Sequence, residues 1–413
     1  MRILFTTQPA LGHFHPLVPL ARAAEAAGHS VRFACAASFL PAVQAAGFAG
    51  LPAGLDWLES EAERFFPELS RLPPGAATNR WWVEHIFAGT SAQLMASDLL
   101  GYLRSDTPPY LIVRDPLEFG GCLAAERAGL PHASAGASVF VPRRAWRGML
   151  AGPLGRLRAA LGLPADPRVA MPYRYLDLSG VPPALVQGGD GIAPVTHFLR
   201  PEPYDQPGEA RPPAWLAQRR ERPLVSASLG TVFNRTPGVF ELICAALRDE
   251  PIELALALGP GLAGARLGEL PPHIHTAEYI PQTALFPHCD LVITHGGLNS
   301  VVAALWHGLP MVILPIGADQ PANAGRCAAI GVARVVEPGE RSAPAIRAAV
   351  RAVLHNPRYR ENARLVQREA QALPGWQHGV RLLERLAEER RPLVARPARH
   401  GGWWGWLRWP RVR

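Results

Sequence analysis

Asp290-Leu-Val-Ile-Thr-His-Gly-Gly-Leu-Asn-Ser300 is a short apolar run that ends in a Gly-Gly turn and opens an apolar helix. The run has strand length and no polar alternation, the pattern of a strand buried on both faces. Glycines in the turn let backbone N–H groups approach a ligand, and the first turn of a helix presents unpaired donors and partial positive charge. A diphosphate binds such a unit without lysine, and this chain has none: its basic residues are all arginine. A Walker A phosphate site, a pyridoxal Schiff base and a lysine-dependent aldolase are thereby excluded. His295, Asn299 and Ser300 add side-chain donors at the same point, although Ser and Asn here also suit a helix cap.

Downstream, Gly308-Leu-Pro-Met-Val-Ile-Leu-Pro315 reads as the next strand, and Gly317-Ala-Asp-Gln-Pro-Ala-Asn-Ala324 opens a helix at its carboxyl end, where ligands bind in open α/β sheets. Asp319 and Gln320 offer the acceptors and donors that sugar hydroxyls need. Upstream, strands at 224–229, 252–258, 290–295 and 311–314 alternate with helices at 239–247 and 298–307. The chain begins in the same way: strand 2–7, turn 8–15, helix 16–27, strand 31–35, helix 38–46, and later strand 110–114 followed by Asp115-Pro116 and a helical run to 129. Prolines crowd the stretch 197–223 and break both periodicities, marking a linker.

The expected fold is therefore α/β, with two Rossmann-like doubly wound domains facing each other across a cleft. The boundaries read as a first domain at 1–205, a linker at 206–222, a second domain at 223–375, a helical segment at 376–395 and a Trp/Arg-rich tail at 396–413. Aromatic residues gather at 51–101 (Trp57, Phe65, Phe66, Trp81, Trp82, Phe87) and 133–178 (Phe140, Trp146, Tyr173, Tyr175), where no clean period is visible. They are read either as core beneath long loops or as the lining of an apolar cleft.

At 413 residues, 48% hydrophobic and 18% charged, the chain has the composition of two globular domains with proper cores. Cys35, Cys122, Cys244, Cys289 and Cys327 are too scattered for a disulfide framework, and the opening lacks a signal-peptide core, so a reducing cytoplasm is expected. The net charge of +8 is spread along the chain with only local clusters such as Arg219 to Arg222, which speaks against nucleic acid as a partner. The tail from Gly401 combines tryptophans with arginines and no acidic residue; it reads as a peripheral contact with anionic lipid, or as an end that is disordered or covers an apolar patch of the protein.

His-Gly-Gly-x-Asn-Ser from His295, Gly-x-Pro-x-Val-x-x-Pro from Gly308 and Asp-Gln-x-x-Asn-Ala from Asp319, in that order, resemble the donor signature of the nucleotide-sugar-dependent glycosyltransferases of natural products, plant metabolites and lipids, which have the two-Rossmann-domain GT-B fold. The resemblance implies that His295, Gly297, Asn299 and Ser300 hold the diphosphate and that Asp319 and Gln320 hold the sugar. Tyr279-Ile-Pro-Gln282 falls where the family carries an aromatic-x-Pro-Gln segment, which implies that Tyr279 stacks on the base, Ile280 pairs with it through its backbone and Gln282 touches the ribose. Ser228-Leu-Gly-Thr231 matches a turn beside the phosphates, with Thr231 as donor. Where many relatives grip the ribose with a glutamate, this chain has Ala303, a departure that a deoxyribose donor tolerates better than UDP.

The same resemblance places the catalytic base in Gly12-His-Phe-His-Pro-Leu17, as His13, with His15 the competing assignment and Asp115 the carboxylate that orients the ring. It implies an inverting, metal-independent hexosyltransferase that needs no cofactor beyond its UDP- or dTDP-sugar donor. The acceptor would be an apolar small molecule such as a polyketide-like natural product. Two other readings stay open: a membrane-associated transferase acting on lipid or carotenoid-type alcohols, and a non-catalytic nucleotide-sugar-binding partner protein.

Overall fold

In the computed structural model seven short runs, β1 (Arg2–Thr6), β2 (Ser30–Cys35), β3 (Ala49–Pro52), β4 (Leu111–Arg114), β5 (His132–Gly136), β6 (Leu176–Ser179) and β7 (Thr196–Phe198), form one parallel sheet in the order β3-β2-β1-β4-β5-β6-β7. Six more, β8 (Leu224–Ser228), β9 (Glu253–Ala257), β10 (Ile274–Ala277), β11 (Leu291–Thr294), β12 (Met311–Ile313) and β13 (Ala333–Val335), form a second in the order β10-β9-β8-β11-β12-β13. The structure describes residues 1–73, 75–104, 109–137, 143–186, 192–205, 211–218, 221–232, 236–259 and 267–395. The tail from 396 lies outside them, as do parts of the proline-rich stretch.

The strand orders locate the ligand-binding ends. In the first sheet the chain runs outward from β1 to β3 and then returns to add β4 on the other side of β1, and in the second β8 and β11 stand in the same relation. Each pair is a topological switch point, where the connections leave the sheet in opposite directions and open a crevice beyond the strand carboxyl ends. The central strands β4, β11 and β12 are buried throughout, as continuous apolar runs in doubly covered sheets must be.

Contacts divide the chain into two compact units, one made of Met1–Val181, Val186–Tyr204 and the described residues from Leu373 onward, the other of Pro182–Leu185 and Asp205–Ala372. Helix Trp376–Glu389 belongs to the first because its apolar stripe, Trp376, Val380, Leu383 and Leu386, packs into the same core as Phe5, Leu20 and Phe33. In the second unit, Pro183–Leu185 forms a short turn anchored by Glu369, which accepts the Ala184 N–H at 2.9 Å.

Local details differ from the sequence reading where prolines and aromatics intervene. The helix expected at 16–27 is regular only over Val18–Ala26; Pro16 and Pro19 start successive turns, so Leu11–Phe14 and His15–Leu17 form separate short turns before it. The aperiodic aromatic stretches contain several helices among their described residues, the longest Ala92–Leu103 and Arg143–Ala160. Trp57, Phe87 and Trp146 are buried with Phe119 and Leu150 in one apolar cluster, so these aromatics are core, whereas Phe65 is exposed. Within the expected linker, Ala214–Gln218 forms a short turn that packs Trp215 flat on the His275 ring, with centroids 3.9 Å apart. No helix among the described residues is long and apolar enough to cross a membrane.

Candidate active site

At the first switch point β1 leads into the turn that carries His13, and β4, paired with it through Thr6 and Arg114, leads straight into Asp115. Adjacent parallel strands end side by side, which brings residues far apart in the chain within reach of each other. His13 Nδ1 lies 3.1 Å from Asp115 Oδ1. The fully buried aspartate is itself held: its Oδ2 accepts the Gln8 N–H and its Oδ1 the Leu117 N–H, both at 2.7 Å. His15, two residues on, turns the other way and meets the Tyr204 ring edge-on with centroids 5.0 Å apart.

The second ring nitrogen of His13 is also engaged, 3.2 Å from Glu59 Oε2. Burial of the imidazole by itself pulls its pKa down, but the charges of Asp115 and Glu59, and their hydrogen bonds, outweigh it and lift the group well above the ordinary histidine value. Glu59 is not legible in the sequence, because nothing in the aromatic-rich segment around it marks one carboxylate among several as a partner of His13. A pocket beside the site is lined by Gln8, Pro9, Leu55, Trp57 and Met95, a largely apolar wall.

At the second switch point β11 leads into His295, and Gly296 and Gly297 turn the chain into helix Leu298–Trp306, whose first turn bears Asn299 and Ser300. The imidazole fits against backbone on two sides: a Cβ at Gly230 or Gly297 would come within 2.8 or 2.6 Å of its ring. Burial pushes the His295 pKa down to about 4, so the ring is neutral at neutral pH. Because the folded value lies below the unfolded one, the stabilisation is complete above about pH 6.5 and is lost as pH falls towards 4. The unfolding free energy of the wild type, from urea titrations, should therefore fall over that window by roughly 1–3 kcal/mol more than that of His295→Gln; parallel curves would contradict the burial argument.

Asn323 joins the parts of this second site. Its amide nitrogen donates to the Gly296 carbonyl at 2.9 Å and to Asp319 Oδ2 at 2.8 Å, so one buried side chain fixes both the Gly-Gly turn and the aspartate. Ala318, just before Asp319, has φ of 52°, a left-handed conformation that a residue with a Cβ adopts only under constraint. Gln320 is buried, and its carbonyl oxygen accepts the Ile316 and Gly317 N–H groups at 2.7 and 3.0 Å, leaving the amide nitrogen as its remaining donor group. Thr231 is exposed in the turn after β8, the strand beside β11.

Tyr279 follows β10 and is partly exposed, and its hydroxyl donates to Asp205 Oδ1 at 3.1 Å. Asp205 Oδ2 also accepts the Thr283 N–H, tying the tyrosine to the start of helix Gln282–Leu285. Ile280 is buried in the unit's apolar core, as is Ala303.

Comparison with known proteins matches residues 248–386 to the family model described as erythromycin biosynthesis protein CIII-like, C-terminal domain. The L-demethylnoviosyl transferase of Streptomyces niveus is 32% identical over 80% of this chain and 84% of its own. The chain belongs to this family of natural-product glycosyltransferases. The 4'-demethylrebeccamycin synthase of Lentzea aerocolonigenes is 29% identical to this chain over 93% of its length and 99% of the synthase. Among solved structures, the spinosyn forosaminyltransferase SpnP matches with a TM-score of 0.77 at 26% identity, covering 94% of this chain and 100% of its own. Glycosyltransferase VinC in complex with dTDP matches with a TM-score of 0.76, also at 26% identity, over 94% and 100%. The fold is thus of the GT-B type.

Sequence reasoning missed three residues that contact the candidate residues: Glu59 beside His13 in the first unit, and Asp205 beside Tyr279 and Asn323 beside Asp319 in the second. Only Asn323 lay inside a motif, as the Asn of Asp-Gln-x-x-Asn-Ala, and its spacing, one helical turn from Asp319, could have suggested the contact.

Proposed function

We propose that the transferase moves a deoxysugar from dTDP to a hydroxyl of an apolar, polyketide-like natural product in a single inverting displacement that needs no metal, and that it does so in the cytoplasm. The observation that carries this reading is the pair formed by His13 and the buried Asp115 at the carboxyl ends of β1 and β4. A histidine with one nitrogen on a fixed carboxylate has the orientation and basicity to take a hydroxyl proton through the other. The first unit, with helix Trp376–Glu389, supplies the base and the acceptor pocket; the second holds the donor.

In the second unit Thr231, neutral His295, the Gly297 turn, Asn299, Ser300 and the helix dipole stabilise the departing diphosphate, an electrostatic role that requires no proton transfer. Tyr279 stacks on the base with its hydroxyl fixed by Asp205, the Ile280 backbone pairs with the base, Gln282 lies at the deoxyribose, and Asp319 and the Gln320 amide nitrogen bind the sugar hydroxyls. Asp319→Ala should weaken binding of the dTDP-sugar while leaving the dTDP dissociation constant nearly unchanged; equal loss for both would remove the aspartate from the sugar. Gln320→Ala should weaken both, because it strands the Ile316 and Gly317 N–H groups.

The choice of dTDP is supported by Ala303, which offers no carboxylate to ribose hydroxyls, and by the dTDP bound to VinC. Calorimetry with dTDP and UDP tests it: dTDP should bind about tenfold or more tightly, and equal affinity would leave the nucleotide unassigned. The anomeric coupling of a product made from an α-linked donor tests inversion, since a retained configuration is incompatible with one displacement.

A further inference from the structure

In the proposed mechanism the acceptor hydroxyl must reach His13 Nε2, because Nδ1 is held by Asp115. That nitrogen is not open: Glu59 Oε2 stands 3.2 Å from it. The contact is built rather than incidental, since the Glu59 N–H donates to the Pro9 carbonyl at 3.3 Å, tying the turn Glu59–Glu61 to the loop between β1 and His13. Both partners of the ring are carboxylates, which only accept, so the arrangement is satisfied when each nitrogen carries a hydrogen. We propose that Glu59 is a displaceable latch on the catalytic base, holding His13 as an imidazolium and releasing its Nε2 when an acceptor hydroxyl takes the carboxylate's place.

The inference rests on the reading of His13 as the base and adds the group that governs when it can act. Among the described residues the charged groups facing the ring are Asp115, from the turn after β4, and Glu59. Phe87, from the helical segment Trp82–Ser91, packs edge-on with centroids 5.8 Å away. Behind Asp115, Arg114 donates to the Asp115 and Pro116 carbonyls at 2.9 Å, and Glu118 accepts the Gly120 and Gly121 N–H groups. The raised pKa of His13 agrees with two carboxylates acting on one imidazole.

The proton balance closes. As the acceptor displaces it, Glu59 carries the Nε2 proton away to solvent and leaves a neutral ring. The acceptor proton then moves to Nε2 while its oxygen bonds to the anomeric carbon and the bond from that carbon to the diphosphate breaks. The regenerated imidazolium is held again by Glu59 once the product leaves, and one proton per turnover is released.

The test is a pH titration of the His13 ring by NMR in the whole protein without ligands, compared among wild type, Glu59→Gln and Glu61→Gln. Glu61 lies on the same turn and pairs with Arg64, so its variant removes the same charge without touching His13. The His13 titration should move to lower pH in Glu59→Gln and stay in place in Glu61→Gln. With any acceptor on which transfer is found, the acid limb of kcat/KM should move the same way. At a fixed acidic pH, Glu59→Gln should then exceed wild type by roughly tenfold if the limb moves down by about one pH unit. An unmoved His13 titration overturns the latch, and so does loss of transfer at every pH in a folded Glu59→Gln, which would make Glu59 the base. A titration that moves while the activity limb does not would instead overturn His13 as the base and leave the pair standing.

Discussion

Replacing His13 by Ala should lower turnover by about 10²–10⁴-fold and leave the dTDP dissociation constant nearly unchanged. The asymmetry follows from where the residues lie: His13 belongs to the first unit, and every residue proposed to hold the donor belongs to the second. His15→Ala is the informative control, because the two histidines are almost adjacent in sequence, and His13 has the Asp115 carboxylate on its ring whereas His15 meets Tyr204. Steady-state kinetics with calorimetry of dTDP binding on both variants decides the matter. An active His13→Ala protein beside a silent His15→Ala protein would reverse the assignment. Asp115→Asn should fall between wild type and His13→Ala, since the turn contacts of the side chain partly survive while the charge that stabilises the imidazolium is lost.

The second large effect is expected at Gly296. Its φ is 90°, a conformation that costs a residue with a Cβ about 1–2 kcal/mol. A Cβ there would also lie 2.7 Å from Ile313 Cγ2, in the buried core beneath the turn, and clearing that contact requires a displaced side chain at about another 1 kcal/mol. The turn cannot shift freely, because Asn323 grips the Gly296 carbonyl and Thr294 Oγ1 accepts the Gly296 N–H at 3.2 Å. Gly296→Ala should therefore weaken dTDP binding by roughly 30- to 150-fold, or lower stability by the equivalent 2–3 kcal/mol where the binding geometry is preserved. Gly325→Ala provides the contrast: it lies inside helix Gln320–Ala329 with open space where its Cβ would go, and should stabilise by about 0.5–1 kcal/mol. Unchanged dTDP affinity together with an unchanged urea midpoint for Gly296→Ala would show that the turn is not a constrained element.

Much of the architecture was legible along the chain because parallel α/β units are encoded locally. The run Leu291–Thr294 needs only its continuous apolar character to be read as a doubly buried strand, and the Gly-Gly turn with Asn299 and Ser300 marks where the next helix starts. The helix Ala92–Leu103 was not legible in the same way: its buried residues, Ala92, Met95, Ala96 and Leu99, do share one face, but the apolar Leu94 and Leu100 fall outside that stripe, Leu94 exposed, and blur the period in the sequence. The lost start of the 16–27 helix has a local cause too, since two closely spaced prolines each begin a turn of their own.

By itself the sequence determined the class of fold, the order of the donor motifs, the absence of lysine chemistry and the identity of His13, Asp115, His295 and Asp319 as candidates. Which side chains meet was decided only by the tertiary structure. Strand order sets β1 beside β4 and β8 beside β11, and that order is a choice among chain crossovers which no local period records. Asn323 joins the Gly-Gly turn to Asp319 because the helix that carries it packs across the end of β11. Asp115 meets His13 because neighbouring parallel strands end together, and Glu59 meets its other nitrogen because the Pro9 carbonyl holds the turn there. Both carboxylates stand about 3 Å from the ring, close enough to set its protonation, yet each lies too far along the chain from His13 for any local spacing to record the contact.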